Sequence, residues 1–349
     1  MGSRHRPSPS LAGVSADPRT TGSEDLERVF LGEPVHLSAR MIEEATGAER
    51  EIIDALWRAL GFVESEDDLV AYTYLDLQAL RTSLGLLQGS ALDLPVLLTL
   101  TRGLGQAMSH LASSQVETVA EAMAADPAVV AAAAQDPAAL VRAGLATVQT
   151  VGAPVEQLLT YVWRRHLLAA TQRVVGTVLG SPEHAAVGVG FADLVGYTAL
   201  TRDATADELR QLVDSFETRA FDHVIAAGAR VVKTLGDEVM WVADDPGTTA
   251  RVGLALAEEF GAEGDRVPPV QVGVAWGPAV QRAGDVFGAV VNIASRLTGI
   301  ARPGTVLADR ELSDALAADP WLSLHRVSPV KVRGYSALVP HVVRRGSGG

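Results

Sequence analysis

The chain has 349 residues, 48% of them hydrophobic and 20% charged, with a formal net charge of -13 and no cysteine. That length is enough to bury two cores, and the absence of thiols excludes disulfides and thiolate chemistry. The acidic balance argues against a general nucleic-acid binder, while leaving room for one anion held in a locally basic, metal-containing pocket.

In chain order, Met1 to Thr21 is rich in Ser, Pro, Gly and Arg without an apolar run, and residues 1–25 read as a disordered tail rather than a leader. Leu26 to Thr150 reads almost entirely as helices. Ser38 can cap a helix over Ala39–Ala45, Thr46-Gly47 breaks it, and Ala48–Leu60 resumes until Gly61. Ile52, Ile53, Leu56, Trp57 and Leu60 share one apolar face. Two short helices joined in this way look like the start of a helix-turn-helix. However, Glu43, Glu44, Glu49 and Glu51 crowd them and a basic phosphate-facing stripe is missing, so nucleic acid is not expected as a partner.

The apolar run Met123–Val148 is interrupted at Asp126-Pro127 and Asp136-Pro137, which read as helix starts in a soluble bundle. A membrane helix needs about 18 or more uninterrupted apolar residues, so no membrane span and a cytoplasmic location are expected. Val155–Val175 reads as a connecting helix with Pro154 near its start. It carries Tyr161, Trp163, Leu167 and Leu168 beside the basic Arg164, Arg165 and His166. His166 can titrate near neutral pH, although a solvated surface histidine is the simpler account. Gly176–Pro182 reads as a hinge. The expected organisation is therefore a helical domain over 26–152, a connecting helix and hinge over 153–182, and a second domain over 183–345.

The second domain alternates strands and helices. Ala185–Asp193 is strand-like and Ala206–Ala227 has a helical pattern. Arg230–Leu235 and Glu238–Val242 form a hairpin around Gly236-Asp237. Thr248–Phe260 is a helix, Val270–Trp276 a strand, Val290–Ile300 a helix, Thr305–Ala308 a short strand and Asp309–Ala318 a helix. Leu322–Val343 supplies the final strands. The order βαββαβ, with helices on one side of an antiparallel sheet, gives an α+β fold with a ferredoxin-like core.

Three spaced elements in this domain carry chemistry. Phe191–Thr198 reads Phe-Ala-Asp-Leu-Val-Gly-Tyr-Thr, ends a strand on Asp193, and offers backbone N–H groups around Gly196, Tyr197 and Thr198 as a phosphate cradle. Lys233 and Asp237 lie in Lys-Thr-Leu-Gly-Asp at the hairpin, and alternation puts Lys233 on the face of Leu235 and Asp237. Asp285 opens a third element whose helix carries Asn292 and Arg296 four apart on one face. Alone, each aspartate is a turn or cap residue, and the Asn/Arg pair a cap or ion pair. Together, two carboxylates whose strands can converge suit a divalent cation bridging to a triphosphate.

This set resembles the catalytic domain of the class III nucleotidyl cyclases over about Ala185 to Val343. The resemblance implies that Asp193 and Asp237 hold two Mg²⁺ or Mn²⁺ ions, one activating the ribose 3′-hydroxyl and one steadying the phosphates. It implies that Lys233 contacts adenine N1 and Asp285 the adenine amino group. Guanylyl members usually carry Glu and Cys at those two places, so ATP is expected as substrate. Asn292 would orient the ribose, and Arg296 would stabilise phosphate charge in the transition state. Arg333, before Gly334, matches the basic residue of a late Lys-Gly element, with Lys331 as the alternative. In this family the metal set and the Asn/Arg set come from different subunits, which implies a head-to-tail homodimer. The amino-terminal half also resembles the helical regulatory domain of soluble, pH-sensing bacterial adenylyl cyclases. That likeness rests on Leu56-Trp57-Arg58-Ala59-Leu60-Gly61 and the Tyr161–Leu167 connector. It implies a proton or a lipid as regulator, with Leu92–Leu111 as a candidate lipid-lining segment.

Overall fold

The computed structural model describes residues 23–89, 92–136, 138–179, 186–260, 266–282 and 284–346. The chain divides into two compact units between His166 and Leu167. The expected tail lies mostly outside the described residues, as do 180–182 of the expected hinge.

The first unit contains α1 (Ser23–Leu31), β1 (Leu37–Ser38), α2 (Ala39–Thr46), α3 (Arg50–Ala59), β2 (Val70–Tyr72), α4 (Tyr74–Gly89), α5 (Leu94–Ala125) and α6 (Pro127–Gln135), and α7 (Ala138–Leu179) begins in it. The Ser38 hydroxyl accepts from Met41 N at 3.4 Å, and Gly47 closes α2 with φ +66°, a left-handed conformation open to glycine at little cost. Asp126 and Asp136 accept from the N–H groups of Ala128 and Ala138 at 2.8 and 3.0 Å, so the expected acidic helix starts are real caps, and Asp93, accepting from Val96 N at 3.0 Å, adds one that was not expected. The core of this unit is Ile42, Ile53, Leu56, Trp57, Tyr72, Leu77, Leu80 and Leu97. The Trp57 indole donates to Val63 O at 3.0 Å and meets Tyr72 edge-on at 4.9 Å.

Two expectations for this half are corrected. A short antiparallel ribbon, β1 with β2, sits in a region expected to be helical. It buries Leu37 and Tyr72 in the helical core, and strands this short show no alternation to read. The connecting helix does not start at Pro154. α7 runs unbroken for 42 residues with Pro154 inside it and continues through Gly176 of the expected hinge to Leu179. A proline forfeits one helical hydrogen bond, and here the helix formers on both sides outweigh that loss. The resulting helix, over Ala138–Gly176, is long and apolar enough by length and composition to cross a membrane, although Arg164 and Arg165 lie within it.

The second unit contains β3 (Ala186–Leu194), α8 (Tyr197–Asp203), α9 (Ala206–Ala226), β4 (Arg230–Thr234), β5 (Glu238–Ala243), α10 (Pro246–Glu259), β6 (Val270–Pro278), β7 (Val280–Arg282), β8 (Asp285–Phe287), α11 (Ala289–Thr298), β9 (Thr305–Ala308), α12 (Arg310–Ala315), β10 (Leu322–Arg326), β11 (Val330–Val332), β12 (Tyr335–Leu338) and β13 (His341–Arg345). Seven strands form one sheet in the order β10-β13-β9-β6-β3-β5-β4. Its β6-β3-β5-β4 portion is antiparallel and has the expected ferredoxin-like arrangement, and β9 joins β6 in parallel.

The expectation that helices cover one side of the sheet needs amending. Trp241, Val272 and Val274 pack with Phe216, Val224, Val252 and Leu256 of α9 and α10. Their neighbours Phe191, Met240 and Ala275 pack with Val290 and Ala294 of α11 on the other face. α11 can lie that close because β6 carries Gly273: a Cβ there would stand 2.3 Å from Ala294 O and Thr298 N.

Candidate active site

β3 delivers Asp193 to the rim of the sheet. The chain then turns at Gly196, φ +77°, into α8. Leu194 N donates to Asp237 O at 3.0 Å and Leu235 N to Glu238 O at 2.8 Å, which fixes the β4–β5 turn against the end of β3. Gly236, φ +70°, permits that turn, and a Cβ at its position would lie 3.8 Å from the Tyr197 hydroxyl. The two aspartates are brought together as expected. Asp193 is pushed up to about 6, first by burial, then by the charge of Asp237 and their mutual hydrogen bond. Two hard carboxylates that repel each other in a half-buried rim suit a divalent cation. Among the described residues no three His, Cys, Asp or Glu side chains converge as a metal cage, so a cation here would keep positions open for phosphate oxygens and water.

Sequence reading missed Glu238. It pairs directly across from Asp193 and is raised by burial, then by Asp193 and Asp237, with Lys233 opposing. Only its place next to the Gly-Asp turn could have flagged it.

Lys233 reaches the site by a device that alternation does not reveal. Arg230 and Val231 pair with Val242 and Trp241, but Lys233 pairs with Met240 and Thr234 with Val239, a one-residue bulge. Val231 packs in the α9/α10 layer, whereas Met240 belongs to the α11 layer. In unbroken register Lys233 would oppose Val239 and point into the α9/α10 core; the bulge puts it on the α11 side instead. There its Nζ meets Asp285 Oδ2 at 2.8 Å. That contact leads the causes holding the Asp285 carboxyl below its ordinary range, and Asp285 Oδ1 also accepts from Val286 N at 2.8 Å.

The remaining expected residues stand apart from these two pairs. The Phe191 ring is buried in the α11 layer, and its carbonyl accepts from Thr298 Oγ1 at 3.4 Å. Tyr197 and Thr198 open α8, where the first N–H groups lack intrahelical acceptors. Asn292 and Arg296 lie on α11 away from its buried Val290, Ala294 and Leu297. Neither side chain has a hydrogen bond or ion pair among the described residues. Arg333 occupies the tip of the β11–β12 ribbon before Gly334, φ +89°, and both it and Lys331 are exposed.

Residues 179–345 match the family model described as the adenylate and guanylate cyclase catalytic domain. The chain is 33% identical over 338 residues to an adenylate cyclase of Glutamicibacter nicotianae, covering 93% of this chain and 82% of that one. It is 36% identical over 313 residues to an adenylate cyclase of Streptomyces coelicolor, covering 89% and 78%. The chain belongs to the class III adenylate cyclases. A pH-sensitive adenylate cyclase of Mycobacterium tuberculosis is 33% identical to this cyclase over 291 residues, covering 82% of this chain and 71% of the relative. The likeness to these relatives thus extends through the helical half. In that half, the groove between α3 and α5, about 570 Å³, is lined by residues that include Arg58, Ala59, Gly61, Arg102, Gly105 and His110.

Proposed function

We propose that this cyclase converts ATP to 3′,5′-cyclic AMP and pyrophosphate at sites shared between two copies of a head-to-tail homodimer. The observation that carries the reading is the meeting of Asp193 with Asp237 on the same rim that holds the Lys233–Asp285 pair. Bound at Asp193 and Asp237, two Mg²⁺ or Mn²⁺ ions would lower the pKa of the ribose 3′-hydroxyl and neutralise phosphate charge. Lys233 donates to adenine N1 and Asp285 accepts from the exocyclic amino group. The backbone N–H groups at Gly196, Tyr197 and Thr198 receive phosphate oxygens, and Arg333 or Lys331 adds a further phosphate contact. Asn292 of the second copy orients the ribose, and Arg296 of the second copy stabilises the charge that develops as the 3′-oxygen attacks the α-phosphorus in line. No protein nucleophile is required.

The lack of any side-chain partner for Asn292 and Arg296 among the described residues of one copy supports the shared site. So do the exposed apolar side chains of α7, among them Leu158, Tyr161, Leu168 and Val175, which recur at three- and seven-residue spacing as a helix–helix seam does. On this reading the helical unit regulates the catalytic unit through α7, with a proton or a lipid as the signal, in the cytoplasm where ATP is available.

The test is cyclic AMP formation from Mn²⁺-ATP by the purified chain, followed by mixing two dead variants, Asp193→Ala and Arg296→Ala. Random pairing makes half of the dimers mixed, each with one intact site of two, so about a quarter of wild-type activity should return. Mixed dimers verified by tandem tags that stay inactive would refute the shared site. A wild-type chain that makes no cyclic AMP would refute the reading as a whole.

A further inference from the structure

The base-reading couple depends on a segment that the main sheet does not hold. Asp285 begins β8, which among the described residues pairs only with β7, in a two-stranded ribbon separate from the seven-stranded sheet. Such a ribbon is marginal by itself, and its turn passes through Gly284 at φ +83°. Two side chains of β4 reach it. Lys233 holds the Asp285 carboxylate at 2.8 Å, and Arg230 Nη1 donates to Gly284 O at 3.2 Å.

The two holds are not equivalent once substrate arrives. A base edge read by both Lys233 and Asp285 draws on the same Nζ and carboxylate that hold each other, so that contact is shared with the substrate. The Arg230 hold is on backbone and survives. We propose that Arg230 is a specificity-positioning residue: by holding the Gly284 carbonyl it keeps the Asp285 carboxylate in register for the exocyclic amino group of adenine. The inference rests on the adenine-reading role proposed above for Lys233 and Asp285.

The surroundings of Arg230 fit this role better than a stabilising one. Its guanidinium is desolvated and pushed further by the charge of Arg173 on α7, with Asp244 and Asp285 pulling the other way. A half-buried arginine beside a second arginine costs stability, and its directed hydrogen bond goes to the residue that precedes the base reader. It also adds a positive field that keeps Asp285 ionised and therefore an acceptor only, which favours an amino group over a carbonyl oxygen.

The test compares full-length wild type, Arg230→Ala, Arg230→Gln and Arg230→Lys for kcat and KM with Mn²⁺-ATP and Mn²⁺-GTP. Displacement of a fluorescent ATP analogue by ATP and by GTP provides a binding readout. Arg230→Ala should raise KM for ATP about fivefold, the worth of one hydrogen bond, lower kcat less than KM rises, and shrink the ATP-over-GTP preference by a similar factor. Arg230→Lys, which retains a cationic donor, should recover part of the preference, and Arg230→Gln should fall between. If the alanine variant does not fold by circular dichroism, the glutamine and lysine variants carry the comparison. An unchanged preference in folded variants, or a kcat loss at constant KM, would overturn the inference. A wild-type chain that binds ATP over GTP without cyclising it leaves the binding comparison decisive for Arg230, while the catalytic reading alone would fail.

Discussion

The two units solve burial differently. In the sheet unit, Phe216, Trp241, Leu256 and Leu297 are fully buried, and both faces of the central strands are covered within one copy. In the helical unit a compact core exists only around Ile42, Ile53, Leu56 and Leu80. Beyond Gly105 in α5, throughout α6, and from Ala146 to Gly176 in α7, no described residue is buried. Met108, Val116, Leu158, Tyr161, Trp163 and Val174 remain exposed there. A sheet of seven strands with helices on both sides satisfies its own apolar surface. Long helices of this composition reach that state against another surface. One region thus covers its apolar surface within a single copy, and the other leaves an apolar face open to a further surface.

The largest effect should come from a change that leaves this contrast intact. Asp237→Ala is expected to lower cyclic AMP formation by about 100-fold or more, because metal-assisted charge stabilisation contributes several kcal/mol. Circular dichroism and oligomeric state should stay as in wild type. Activity within about threefold of wild type would remove Asp237 from the metal site. The next change attacks the contrast itself. Tyr161→Glu with Leu168→Glu places charge on the exposed α7 face and should convert dimer to monomer in sedimentation velocity, with activity falling about tenfold or more. A persistent dimer of full activity would mean that something other than a second copy covers this face.

The smallest effect tests the sheet unit alone. Asp309 caps α12, its Oδ1 accepting from Leu312 N at 2.9 Å and Trp276 N at 3.3 Å. Burial is the main cause that raises it to about 7. The native state then keeps the Asp309 proton up to about pH 7, while the unfolded chain releases it near pH 4. Unfolding therefore releases a proton between those values, and stability falls as pH rises from about 4 to 7 and levels above. Asp309→Asn, which still caps a helix, should flatten that slope. Thermal melts across pH check it, and parallel slopes in both proteins would assign the pH dependence elsewhere.

How much of this was legible in the sequence follows the range of each interaction. The caps at Ser38, Asp93 and Asp126 act on N–H groups two or three residues away, and at Ser38 and Asp126 the residues alone marked them. The βαββαβ order and the meeting of Asp193 with Asp237 were readable because each lies at a strand end beside a glycine turn. The Lys233–Asp285 pair spans 52 residues and was visible only through the resemblance to known cyclases. The β1–β2 pairing, the second sheet face covered by α11 and the passage of α7 through Pro154 depend on tertiary packing that overrides local signals. The bulge between Val231 and Lys233 was invisible because period-two reasoning assumes the register it breaks.

That bulge has a consequence for self-association. β4 is one of the two outer strands of the seven-stranded sheet, and an outer strand offers unpaired N–H and C=O groups to any other chain. An extra residue that twists this edge, with a lysine immediately after it, blunts it as a template for strand addition. Deleting Val232 would straighten the edge while leaving Lys233 opposite Met240, trading solubility at high concentration against an unchanged reading side. The residue that aims Lys233 at Asp285 therefore also helps to keep neighbouring molecules from joining the sheet.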